Sequence, residues 1–167
     1  MVNAIAESID TAAIWKILRT VLDPELPHVS VVNLGMVRDV NVDAGGVEVF
    51  ITPTYSGCPA MATIETDILA ALNNAGFEDT KVTTVLSPPW TTDWIDDDGM
   101  TKLKQIGIAP PVRGSSKRAL FAEMPDIHCP LCGSSNTEQI SEFGSTACKA
   151  LWRCKACAEP FDYFKCL

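Results

Sequence analysis

The sequence predicts an α+β chain in two parts, a small helix/sheet sandwich followed by a compact module pinned by cysteines. Three observations carry this. Apolar spacing in the first hundred positions alternates between helical and strand-like periods in the order helix, strand, strand, helix, strand, which asks for helices on one face of a sheet of at least three strands. The charge changes sign: residues 1–100 hold 15 acidic and 4 basic side chains, residues 101–167 hold 6 acidic and 9 basic. Of the seven cysteines, only Cys58 precedes position 129.

The elements follow in order. Ile14, Ile17, Leu18, Val21 and Leu22 recur at helical spacing, predicting a helix over residues 11–22 with Asp10 as its cap. It stops at Asp23-Pro24, because a residue before proline is pushed out of the helical region. Residues 36–42 and 47–52 alternate apolar and polar around Asp43-Ala44-Gly45-Gly46 and read as a hairpin with one buried face. A second helix starts at Pro59, carries the stripe Ile64, Ile68, Leu69 and Leu72, and ends at Gly76. Residues 81–86 form a third strand, Pro88-Pro89-Trp90 breaks the pattern, and residues 101–106 form a short helix.

The sandwich is assigned to residues 1–107. Residues 108–125, turn-rich with Pro110, Pro111, Gly114, Ser115 and Ser116, read as a linker, and residues 126–167 form the cysteine module. The 47% hydrophobic content excludes wholesale disorder. The net charge of −8 argues against a general nucleic-acid binder. No apolar run approaches the roughly 20 residues that cross a bilayer. Residues 1–10 lack a basic leader and a continuous apolar stretch, so the expected location is cytoplasmic, with cysteines as thiols or metal ligands rather than disulfides.

Cys129-x-x-Cys132 and Cys154-x-x-Cys157 are two paired knuckles separated by 21 residues, slightly beyond the usual range. Each aims two thiolates at one point, and together they complete a tetrahedron around Zn²⁺. The aromatic, strand-like runs between and after them fit a three-stranded zinc ribbon. A segment of about 40 residues needs such a staple to fold. Thiolates alone do not separate zinc from a rubredoxin-like iron or an iron–sulfur cluster. Cys148 and Cys166 form no knuckle and read as packed small hydrophobes, with an extra ligand as the alternative for each.

In Thr52-Pro53-Thr54-Tyr55-Ser56-Gly57-Cys58-Pro59, Cys58 stands at the expected positive end of the second helix, where a thiolate is favoured and its pKa depressed. A buried cysteine under the helix start is the alternative. Asp23-Pro24-Glu25 sets two carboxylates in a rigid turn, and Asn33-Leu34-Gly35 precedes a strand. Trp90 and Trp94 lie beside Asp93, Asp96, Asp97 and Asp98, as an interface anchor or as a cover on the core. His28 and His128 are the only histidines, and neither supports a triad. No GxGxxG, Walker loop or helical Glu-x-x-His pair occurs, so no catalytic residue is assigned.

Asp23-Pro24-Glu25-Leu26-Pro27, Asn33-Leu34-Gly35-Met36-Val37, the 52–59 segment and Ser87-Pro88-Pro89-Trp90 together resemble the FSCA-like iron–sulfur-cluster-assembly domain, the family of SufT and the cytosolic cluster-targeting factors. Adding Gly107-Ile108-Ala109-Pro110-Pro111, Cys129-Pro130-Leu131-Cys132 and the segment from Phe143 to Cys154, nearly the whole chain resembles the PaaD (PaaJ) family of small subunits encoded with phenylacetyl-CoA epoxidase. The resemblance implies an FSCA-like sandwich followed by a zinc ribbon, and a place in phenylacetate degradation beside a di-iron oxygenase and a flavin/iron–sulfur reductase. It also implies that this chain is not the oxygenase active site. The family's cysteine falls on Cys58 and its acidic motif on Asp23 and Glu25, so these three are the candidate site for transient iron or a cluster. Cys129, Cys132, Cys154 and Cys157 are the candidate ligands of a structural Zn²⁺.

Since one thiolate holds a metal weakly enough to release it, the favoured reading is a maturation factor for the oxygenase or reductase subunits. A permanent cluster would need a partner's ligands or a homodimer pairing two Cys58 residues. The alternatives are a constitutive structural or regulatory subunit without metal transfer and, disfavoured by charge, a nucleic-acid-binding ribbon. Neither nucleic acid nor membrane is an expected partner.

Overall fold

The computed structural model describes residues 10–43, 46–114 and 126–165. The first nine residues, the hairpin tip at Ala44-Gly45, most of the expected linker and Cys166 lie outside them.

Helix α1 spans Thr11–Leu18, with the Asp10 carboxylate accepting the Ala12 N–H at 2.9 Å. It ends a turn earlier than its apolar stripe suggests, because Val21 to Asp23 pair with the backbone of Val29 and Val31 instead (Val31 N to Val21 O 3.0 Å, Asp23 N to Val29 O 2.9 Å). Strand β1 (Val37–Asp43) runs antiparallel to β2 (Gly46–Ile51), with Val42 opposite Val47. A register shift between Val37 and Asp39 lets both Val37 and Val40 face the core.

Helix α2 spans Met61–Asn74 and crosses back so that β3 (Thr80–Thr84) lies parallel to β2, giving the order β1-β2-β3. Ile14 and Leu18 of α1 and Ile64, Ile68 and Leu72 of α2 bury against Val40, Val49 and Ile51 of the sheet.

Helix α3 spans Asp97–Gln105, four residues ahead of the expected start, because Asp96 caps it (Gly99 N to Asp96 Oδ1 2.7 Å) and Asp97 and Asp98 complement its positive end. Ile108–Ala109, expected as the beginning of the linker, is strand β4, parallel to β7. The ribbon strands are β5 (Thr137–Ser141), β6 (Lys149–Cys154) and β7 (Pro160–Phe164). Three strands are expected there; β4 makes a fourth, in the order β4-β7-β6-β5.

The second half has its own apolar cluster around Trp152, Phe161 and Tyr163, but Cys148 and Phe164 belong to the core of the first. Among the described residues no helix is long and apolar enough to cross a membrane.

Candidate functional site

Two cysteine sites emerge, one inside the ribbon and one between the halves. In the ribbon, the four sulfurs of Cys129, Cys132, Cys154 and Cys157 lie within 4.8 Å of one another, with Cys129 to Cys157 at 3.9 Å and Cys132 to Cys154 at 3.5 Å. Tight turns aim them inward: Gly133 N–H bonds the Cys129 carbonyl at 2.9 Å, and Cys154 N–H bonds the Glu159 carbonyl at 3.0 Å.

Backbone N–H groups of Ser134, Cys157, Ala156 and Glu159 also donate to knuckle sulfurs. The Cys157 and Ala156 donors bring Cys154 down to about 6. For Cys157, the Glu159 N–H works in the same direction, but burial and the three neighbouring thiols push it up to about 12. Four crowded thiols that cannot all ionise without a cation, and that already receive N–H donors, fit a tetrahedral divalent ion of zinc's chemistry.

The second site starts at Asp23. Pairing of the 21–23 and 29–31 backbones buries this carboxylate to 8% exposure, and its Oδ1 accepts the Glu25 N–H at 2.8 Å. Burial pushes its pKa above the usual carboxylate range; the Glu25 N–H pulls against this, the Glu25 charge adds to it, and the Lys149 ammonium partly offsets it.

Cys58 faces the same place from the loop after β2, half-buried, its N–H bonded to the Tyr55 carbonyl at 3.2 Å. The expected thiolate stabilisation at a helix start is overturned here. Helix α2 begins only at Met61, and burial raises the thiol, reinforced by the Glu25 and Asp23 charges against opposing bonds from the Ala60 N–H and the Tyr55 hydroxyl. Cys58 is therefore a protonated thiol near neutral pH.

Sequence reasoning did not place Cys148 beside Glu25. It packs as expected, at 4% exposure, but its Sγ lies 4.0 Å from Glu25 Oε2 and 3.0 Å from Thr146 Oγ1. Burial raises this thiol too. Lys149 beside it is 5% exposed and acts on both Asp23 and Cys148. The available signal was a lysine among apolar strand residues, next to a cysteine outside both knuckles.

Other singled-out residues support the site without joining it. Asn33 Nδ2 donates to Asp96 Oδ1 at 3.0 Å and to Asp98 Oδ2 at 3.0 Å, and its Oδ1 accepts from Lys102 Nζ at 3.0 Å, tying the turn to α3. Gly35 has φ +66°, and a Cβ there would meet the Trp94 carbonyl oxygen at 2.5 Å. Trp90 covers the core and donates Nε1–H to the Leu34 carbonyl at 2.8 Å. Trp94 carries the Arg38 guanidinium 3.4 Å over its ring.

Comparison with known proteins finds two family descriptions on successive stretches of the chain. Residues 11–85 match a family described as "Iron-sulfur cluster assembly protein", and residues 113–165 match "PaaD zinc beta ribbon domain". The chain is 47% identical over 154 residues, 92% of each protein, to an Escherichia coli (strain K12) protein provisionally named as a subunit of 1,2-phenylacetyl-CoA epoxidase. It is 42% identical to the Fe-S protein maturation auxiliary factor YitW of Bacillus subtilis (strain 168) over 46% of this chain and 76% of that one. Among solved structures, a domain of unknown function, DUF59, from Bacillus anthracis superposes with TM-score 0.51 at 32% identity, covering 55% of this chain and 89% of that one.

Proposed function

The chain belongs to the PaaD family, whose zinc ribbon it carries and whose Escherichia coli relative is named for 1,2-phenylacetyl-CoA epoxidase, and from this premise we propose that it is an accessory maturation factor of such an epoxidase. In this reading it delivers iron or an iron–sulfur unit to the oxygenase or reductase subunits. The observation that carries it is the convergence of Cys58, Asp23 and Glu25 on one place, where both carboxylates act on the half-buried thiol.

The chemistry supports transfer rather than storage. A thiol held protonated by burial and by two carboxylates gives up its proton only to an incoming cation, and regains it when the cation leaves. The carboxylates attract that cation, and the half-open position of Cys58 leaves a partner's ligands room to displace it. The ribbon serves a separate purpose. Cys129, Cys132, Cys154 and Cys157 hold Zn²⁺ permanently, and the ion supplies folding energy that a segment this small lacks.

Expressing the oxygenase and reductase subunits with and without this chain tests the proposal. The expected result is iron-poor or cluster-poor partners and low epoxidation when it is absent, reproduced by Cys58→Ser. Fully metallated, fully active partners in its absence refute delivery. An intact, cofactor-replete complex carrying Cys58→Ser would assign the chain a constitutive structural role.

A further inference from the structure

We propose that the helix-free side of the β1-β2-β3 sheet docks an extended segment of a partner protein, with an acidic side chain of that segment paired to Arg38 and an apolar one seated on Phe50 and Val85. This rests on the reading that the chain serves the epoxidase subunits, and it names the surface that meets them.

Helices α1 and α2 cover one side of the sheet, where Val47, Val49 and Ile51 are buried. Strand alternation turns Glu48 and Phe50 of β2 to the other side, and Thr52 follows in step. Phe50 and, just past β3, Val85 are half-buried there and join neither apolar core. Leu86 beside them is 66% exposed. Arg38, Phe50, Thr52, Val85 and Pro88 line an open hollow of about 300 Å³. Thr52 is also a wall of a second hollow, of about 280 Å³, lined by Tyr55, Ser56, Leu86 and Trp90. Its side chain is buried, and Oγ1 has no hydrogen-bond partner among the described residues. Apolar surface and an unspent polar group thus meet on a side of the sheet that neither α1 nor α2 covers.

Charge selects the occupant. The Arg38 guanidinium is held 3.4 Å over the Trp94 ring and makes no hydrogen bond or ion pair among the described residues. Stacking fixes its plane and leaves its N–H donors free, and a carboxylate meets that fork with two hydrogen bonds. Lys81, the other cation on this side, is already paired to Glu48 Oε1 at 2.9 Å. Asp39, which also borders the first hollow, spends Oδ1 on the Val40 N–H at 2.8 Å. Its charge repels a polyanion, so one carboxylate flanked by apolar side chains fits where a phosphate backbone does not. Arginine, tryptophan and phenylalanine together have the composition of an interface hot spot. A segment seated on Phe50 and continuing past Thr52 reaches Tyr55 and Ser56, the latter two positions before Cys58. Docking there brings the client beside the delivering thiol.

Zinc-loaded full-length protein is titrated against the purified oxygenase and reductase subunits, and separately carries a photo-crosslinking benzoylphenylalanine in place of Leu86 or, as a control on the ribbon, of the exposed Phe143. The Leu86 probe is expected to capture one segment of one subunit, with Asp or Glu beside an apolar residue; the Phe143 probe is not. Arg38→Glu and Leu86→Asp should each weaken binding by at least about tenfold while Tm and ribbon zinc stay unchanged. Replacing the captured acid with lysine should restore binding to Arg38→Glu. Leu86→Asp alters only an exposed side chain, so it tests the groove even if Arg38→Glu unfolds. Wild-type affinity in both variants, or capture from Phe143 alone, overturns the groove, while the bound subunit keeps the accessory reading standing. A captured segment without a carboxylate overturns the pairing assigned to Arg38. Binding by no subunit overturns both readings.

Discussion

The indole of Trp90 meets the ring of Phe164 edge to face, with centroids 6.0 Å apart and planes inclined at 63°. Trp90 comes from the sandwich and is fixed by its bond to the Leu34 carbonyl; Phe164 ends the last ribbon strand. The halves therefore share a core, and β4 leaves the sandwich to pair with that same strand. Through this joint, folding of the ribbon holds Cys148 against the Asp23-Glu25 turn.

Phe164→Ala should thus destabilise more than the ribbon. Removing a fully buried phenylalanine costs about 3–5 kcal/mol. Calorimetry is expected to show a lower Tm for the sandwich as well as the ribbon, and Phe164→Leu should recover most of the loss. A sandwich melting at its wild-type temperature in Phe164→Ala would mean the halves are energetically separate.

Chelation should act at a distance for the same reason. Loss of a structural zinc site removes on the order of 10 kcal/mol from the ribbon. Hydrogen exchange across Lys149–Cys154 is expected to accelerate to near the unfolded rate, and Cys148 should become reactive to a thiol reagent that wild-type holoprotein excludes. Protection of Cys148 in metal-free protein would show that the strand end stays docked without its ion.

Much of this was legible in the sequence, for reasons residue by residue. Hydrophobic period alone locates α2 and the β1–β2 pair, since Ile64, Ile68 and Leu72, and then Val47, Val49 and Ile51, must each face one side. The paired knuckles give the ribbon site because two-residue spacing fixes the turn. What the sequence could not carry is long-range. Val21 to Asp23 leave the helix because a partner backbone eight residues on competes for their bonds, and Ile108–Ala109 become a strand only because β7 is there to pair with. Cys58 and Cys148 are 90 residues apart, and only the shared core around Phe164 brings the second to the first's carboxylates.

Asp23→Asn should stabilise the protein while impairing its metal binding. Burial raises the carboxyl from its ordinary 3.8, so the folded state holds this proton more tightly than the unfolded state. Wild-type stability from this group is therefore present below 3.8 and is lost as pH rises through the elevated folded value. Asparagine keeps the acceptor for the Glu25 N–H and has no charge to desolvate. Denaturant midpoints across roughly pH 4–8 are expected to be higher at neutrality and flatter in the variant. A variant less stable than wild type at pH 7 would mean that its charge is needed to pair Lys149.

Metal uptake at Cys58 should strengthen with pH. The thiol is raised from its ordinary 9.0, so near neutrality each binding event must displace its proton. Below the thiol pKa, affinity then gains about tenfold per pH unit for the one displaced proton. Co²⁺ titrations of zinc-loaded protein at several pH values measure that slope, and Cys58→Ser is expected to flatten it. Affinity independent of pH would mean that uptake displaces no proton from Cys58.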